Sequence, residues 1–322
     1  LMVTNNLYGQ RYSSMGVLVV AAMPGPAAMA IAMAAGIEGY GWLYAVGAAW
    51  VRVVLLAMWL FPFMTGAVSV SPWRPLGYNL ATAALWIGSI FLESPYRYLL
   101  WAVAVAVEML LLMLRRGFAV EVYEQASIPH LLERIGLFVV IVIGEAVYLS
   151  VTGLAGHPTI GGAASAMFGF VSCALLARAF FRWAAPITES GLAAARNARS
   201  YGAMRDVVMY FPFITVLALT LIAASIGIAV AEAGIPMAGE ARWLLATGVA
   251  GFYLSNALIG LRLGRGPGRV ALLFSVGAIL PAIACLLTGG IPAWATLGFV
   301  ALALLLLDAL SGLLNARWRQ AA

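Results

Sequence analysis

Apolar residues run along this chain in long blocks separated by short polar or Gly/Pro-rich intervals. The blocks cover 15–36, 42–65, 76–92, 98–114, 133–154, 162–183, 207–230, 242–262, 270–288 and 292–315. A helix needs about 20 predominantly apolar residues to cross the hydrocarbon of a bilayer, and it can do so because it satisfies its own backbone polar groups. Most blocks are apolar all round rather than along one stripe, which suits lipid better than a surface with one wet face. The pattern predicts an all-α, polytopic transmembrane helix bundle of about ten spans, forming a single integral membrane domain over 1–322. The third and fourth blocks are among the shortest.

Composition strengthens this reading. The chain is 64% hydrophobic and 9% charged, with a mean hydropathy of +1.00, whereas a soluble domain carries about 25% charged residues. All eighteen basic residues are Arg. The absence of Lys excludes any Schiff base to retinal or pyridoxal phosphate, and no cofactor is expected. The arginines lie between apolar blocks instead of in one run, so they indicate membrane orientation and not a nucleic-acid partner. With a cytoplasmic N-terminus, fourteen arginines fall on the inner side, and only Arg97 and Arg242 on the outer. The expected topology is therefore N-in/C-in, with membrane lipids as the surrounding partner. Cys173 and Cys285 sit in apolar blocks with no second ligand at metal spacing. Leu1 to Ser14 is polar and does not read as a signal peptide, and a Leu at position 1 suggests an incomplete N-terminus. Within the inner connection 183–206, Thr188 to Arg199 reads as a short surface helix capped by Thr188. Ala28, Ala32 and Gly36 form a small-residue row suited to close helix packing.

The most informative stretch is HLLERIGLFVVIVIGE, His130 to Glu145. Pro129 suits a first helical turn, where its missing N–H has no intrahelical partner to lose. At helical spacing, His130, Arg134, Phe138, Ile141, Glu145, Tyr148 and Thr152 share one face. This stripe gathers nearly every polar group of the fifth span, and is expected to face the protein interior or a wet cavity. Glu145 lies eleven residues past Arg134, roughly 16 Å along the axis, and so near the midplane. A carboxylate there carries an insertion cost of about 2.5–3.5 kcal/mol. It requires a cation, for which Arg52 at similar depth in the second span is the candidate, or a proton that it can load and release. A carboxyl that merely fastens helices is the alternative. Gly136 and Gly144 would let a neighbouring helix approach. Beside Glu133 and Arg134, His130 either senses protons or simply begins the helix at the interface. Glu108 and Asp308 are secondary intramembrane charges, each expected to pair between helices. Arg178 is expected to snorkel to the interface. Tyr44, Trp101, Trp42, Tyr96 and Trp243 are expected interfacial anchors. Glu38 and Asp206 have no partner legible in the sequence. No phosphate loop, paired-His metal site or nucleophile turn is present, so an enzyme is not expected.

The same stretch resembles the signature of the bacterial low temperature requirement A (LtrA) family, H-x-x-E-R-x-G-L-F, an apolar run and then G-E. His130, Glu133, Arg134, Gly136, Gly144 and Glu145 occupy its positions. The resemblance extends loosely over most of the chain and implies a multi-pass protein of the bacterial inner membrane. Members usually open with an F-F-D-L-V-F type stretch, and nothing like it precedes Tyr8, which implies a missing N-terminal helix pair. The functional expectation is a proton-linked transporter or channel-like protein passing a small ion or solute by way of Glu145. The alternative is a non-transporting membrane factor that supports membrane or protein assembly in the cold.

Overall fold

The computed structural model describes residues 14–64, 73–114, 127–156 and 158–320. Arg11, Arg115, Arg116 and His157 lie outside the described residues, as do the side chains of Arg74, Arg269, Arg317 and Arg319. The chain divides into two compact units, Leu1–Ser127 and Ile128–Ala322. Among the described residues, seven helices are long and apolar enough to cross a membrane, making a multi-pass helical membrane protein. The expected third and ninth spans are shorter apolar helices, Leu76–Phe91 and Val276–Leu287.

In the first unit, α1 (Ser14–Ala22) and α2 (Pro24–Ala35) are separated at Met23, and α3 (Ile37–Met64) returns alongside α2. The reversal is made at Gly36, whose φ of 103° is open to glycine without a steric penalty. The α2–α3 crossing is closest at Gly25 and Gly47. A Cβ on Gly25 would sit 2.7 Å from the Gly47 carbonyl oxygen, and one on Gly47 would sit 2.5 Å from that of Gly25. Lipid gives no hydrophobic drive for helix pairing, so backbone approach at small residues decides which faces meet. Of the predicted small-residue row, Ala32 is fully buried, but the contact is governed by the glycines.

The unit continues with α4 (Trp73–Gly88), a 3₁₀ turn at Ser89–Phe91, and α5 (Tyr96–Leu114). Tyr44 stacks on Trp101 at 4.7 Å between ring centroids, Trp86 lies 5.8 Å from Trp101, and the Trp101 indole N–H donates to Ser89 Oγ at 2.8 Å. Tyr44 and Trp101 are therefore half-buried aromatics packed against the core of this unit around Trp86. Burying the ring satisfies packing while the hydroxyl of Ser89 takes the indole proton. Trp42, Tyr96 and Trp243 are exposed, as interfacial anchors would be.

The second unit comprises α6 (Ile128–Gly156), α7 (Ile160–Ala179), α8 (Ala185–Asn197), α9 (Tyr201–Arg205), α10 (Phe211–Ala231), α11 (Gly239–Arg262), α12 (Pro267–Leu287) and α13 (Ala293–Gln320). α10 is its centre and touches α6, α7, α11 and α13. Again small residues set the contacts: a Cβ on Gly248 of α11 would meet the Ala218 carbonyl oxygen of α10 at 2.8 Å. A Thr215–Ser255 hydroxyl pair at 2.8 Å lies buried between the same helices.

The segment expected to be a surface helix is built differently. α7 runs through a π segment, Phe180–Ala184, directly into α8, and α8 packs against α6 and α11 with Thr188, Gly191, Leu192 and Ala195 buried. Thr188 does not cap, because its hydroxyl donates back to the Ala184 carbonyl inside a continuous helix. α8 ends with Ser200 N–H bonded to Ala195 O and Arg199 N–H to Arg196 O, placing Arg199 in the left-handed region at φ 53°.

Candidate functional site

Each unit carries an arginine–carboxylate pair between helices, and among the described residues the second unit also carries a carboxyl outside any such pair. In the first unit, one residue from each of three helices converges. Arg52 of α3 donates through Nη1 to the Tyr78 hydroxyl of α4 at 3.0 Å, and through Nη2 to Glu108 Oε2 of α5. The guanidinium also sits 5.7 Å from the Tyr78 ring centroid. Both charged side chains are largely enclosed, at 18% and 14% exposure. This corrects the expected Arg52–Glu145 pair: Arg52 belongs to Glu108. α4 stands beside both α3 and α5, which brings the three groups together. Glu108 therefore pairs between helices, as its position implied.

In the second unit, Arg178 of α7 donates from Nε to both carboxylate oxygens of Asp308 on α13, at 2.9 Å each. Arg178 is thus an ion-pair partner and not a freely snorkelling side chain. Its guanidinium is half exposed at 49% against 20% for Asp308. Asp206, which had no legible partner, accepts from Arg205 at 2.7 Å and from Arg262 at 2.8 Å. The one available hint was an acid standing in a stretch otherwise dominated by arginines.

The signature helix, α6, starts at Ile128 and positions its first polar group on the first turn. His130 Nδ1 lies 3.3 Å from Glu133 Oε2, both side chains half exposed or more, and Arg134 follows half-buried. The predicted polar stripe forms a continuous face, but that face points outward. Phe138, Ile141, Glu145, Tyr148 and Thr152 are exposed, while Leu131, Ile135, Gly136, Val139, Ala146 and Ser150 are buried against the rest of the unit. Among the described residues of this unit, the stripe from Phe138 to Thr152 therefore packs against no neighbouring helix, and the opposite face of α6 makes the contacts with α7 and α10. The inward face is chosen by fit: Leu149 of α6 meets Gly227 of α10, and Gly153 meets Val230. Gly136 behaves as predicted, since a Cβ there would stand 3.1 Å from the Phe181 ring. Gly144 does not, having nothing within 4 Å of a built Cβ; it lies on the outward face beside Glu145.

Glu145 is therefore a carboxyl exposed near the middle of a 29-residue apolar helix. About 16 Å of helix separate it from Arg134, with Glu133 adjacent to Arg134 and His130 one turn further toward the N-terminal end of α6. Chemically this is a proton- or cation-accepting group at depth, with three charged or titratable groups at the helix end. Among the described residues, no three His, Cys, Asp or Glu side chains gather as a metal-binding group.

No curated protein and no solved structure matches the chain. A family comparison matches residues 2–307 to the description Bacterial low temperature requirement A protein (LtrA). Charged positions held by a helical membrane scaffold, the His130–Glu145 signature and a match over nearly the whole length agree: the chain belongs to the LtrA family.

Proposed function

We propose that this protein is a proton-linked transporter or channel-like protein of the bacterial inner membrane, oriented with both ends cytoplasmic. Glu145 carries the proton or ion contact, and His130, Glu133 and Arg134 stand at the cytoplasmic mouth. The observation supporting this is the exposed position of Glu145, deep in α6 and outside both intramembrane ion pairs, Arg52–Glu108 and Arg178–Asp308. An ionisable side chain kept at such depth is functional by default, because insertion penalises it. Tyr148 shares its face one turn on and supplies a hydroxyl near the path. The reading involves no enzymatic step, and lipid turnover by the purified protein would overturn that part. Proton flux into vesicles holding the full chain, with Glu145→Gln alongside, is the test. Flux should be present in the parent and lost in the variant; equal flux in both at every pH removes Glu145 from the role.

A second reading has its own support. The two ion pairs each tie helices together, α3 to α5 and α7 to α13, as a non-transporting factor for membrane or protein assembly at low temperature would require. It predicts no flux in either protein and a change in stability on altering Glu145.

A further inference from the structure

One face of α11 is turned outward along its whole length. Trp243, Thr247, Leu254 and Leu261 are exposed, with Ala250 and Leu258 half-buried between them, and the stripe leads into the exposed Arg262 and Arg265. Trp243 and Arg262 are nineteen residues apart, or about 29 Å of helix, close to the hydrocarbon thickness of about 30 Å. An interfacial tryptophan thus marks one boundary and the arginines mark the other.

The two guanidinium groups are held in place from behind. Arg262 donates through Nε to Asp206 Oδ2 at 2.8 Å, and Arg265 donates through Nη2 to Ser190 Oγ at 2.8 Å. Each therefore spends one edge on the protein. Asp206 is shared with Arg205, so it neutralises less than the charge around it. Segments 180–210 and 260–265 hold six arginines (182, 196, 199, 205, 262 and 265) against two carboxylates, Glu189 and Asp206. The backbone is fixed as well: Gly264 takes φ 75°, and Arg265 N–H closes on Gly260 O at 3.1 Å.

We propose that Arg262 and Arg265 form a headgroup site for an anionic glycerophospholipid, with an acyl chain lying along Leu261, Leu258 and Leu254. Planar guanidinium groups match phosphate oxygens in paired hydrogen bonds. Anchoring both groups beforehand lowers the entropy lost when the phosphate docks. The largely apolar stripe continuous with the arginines commits the site to a lipid and not to free phosphate.

The full chain, reconstituted in phosphatidylcholine bilayers containing phosphatidylglycerol as the minor lipid and then extracted, is assayed for co-purifying lipid by native mass spectrometry. The parent should retain phosphatidylglycerol in preference to phosphatidylcholine. Arg265→Gln should lower that preference by about tenfold, the value of one charge-assisted contact, and Arg262→Gln should do likewise. Arg265→Gln is the safer variant because its side chain leaves the Asp206 pairings intact. Arg196→Gln should leave the preference unchanged. Unaltered retention in Arg265→Gln overturns the proposal. So does an equal loss in Arg196→Gln, which would indicate diffuse charge, and so does displacement of the lipid by inorganic phosphate.

Discussion

Glu108 and Glu145 make an instructive pair, one from each unit. Both are carboxylates inside apolar helices, yet the first is enclosed with Arg52 and Tyr78 while the second stands on an outward face. The difference lies in the neighbours each helix acquires. α5 meets α4, which also meets α3, so three side chains from separate segments complete one polar cluster. α6 meets α7 and α10 through glycines and aliphatic residues, and that fit turns Glu145 away. A buried charge with a partner is a structural commitment; an exposed one at depth is a candidate for work. Arg178–Asp308 lies between these extremes, since its arginine is half exposed.

The contrast can be broken most forcefully at Glu108. Glu108→Ala leaves Arg52 enclosed without its counter-charge and should destabilise the protein by roughly 3–5 kcal/mol, read as a lowered unfolding midpoint in detergent. Replacing both Arg52 and Glu108 with Leu should recover most of that loss, because removing the pair also removes its desolvation penalty. If the double variant is as unstable as the single one, enclosure of the charge is not the reason. Next in size is the packing that orients the second unit. Gly248→Val forces a side chain against the Ala218 carbonyl and should cost about 1–3 kcal/mol, whereas Gly144→Ala, with open space around it, should be neutral or slightly stabilising through helix propensity. Comparable losses for the two would undo the assignment of the buried face of α6.

Arg178→Gln is expected to have a smaller effect than Glu108→Ala, because its half-exposed arginine leaves the pair less enclosed than Arg52–Glu108. Smallest of all should be Glu145→Gln, whose thermal stability should stay within about 0.5 kcal/mol of the parent even where flux is lost. A large destabilisation there would move Glu145 into the same class as Glu108 and favour the assembly reading.

Much of this architecture is legible in the residues alone. The apolar blocks correspond to the helices because hydrocarbon length and backbone satisfaction leave few alternatives. The shared face of His130, Arg134, Glu145 and Tyr148 also follows from helical spacing. The pairing of Glu108 with Arg52, and of Arg178 with Asp308, is not legible, since 56 and 130 residues separate the partners. The same holds for Asp206 with Arg262, 56 residues away, though not with its sequence neighbour Arg205; Tyr44 and Trp101 have apolar bodies and polar tips that suit an interface and a core equally.

By itself, then, the sequence determined the solvent, the helices, the family signature and which residues share a helical face. It could do so because these depend on composition and on repeats within a few turns. Which face looks inward, and which carboxylate finds an arginine, was decided only in the tertiary structure. In lipid no hydrophobic gradient separates an apolar inside from an apolar outside, so close approach at Gly25–Gly47, Gly227 and Gly248 selects the contacts, and charged side chains pair with whatever those contacts bring near.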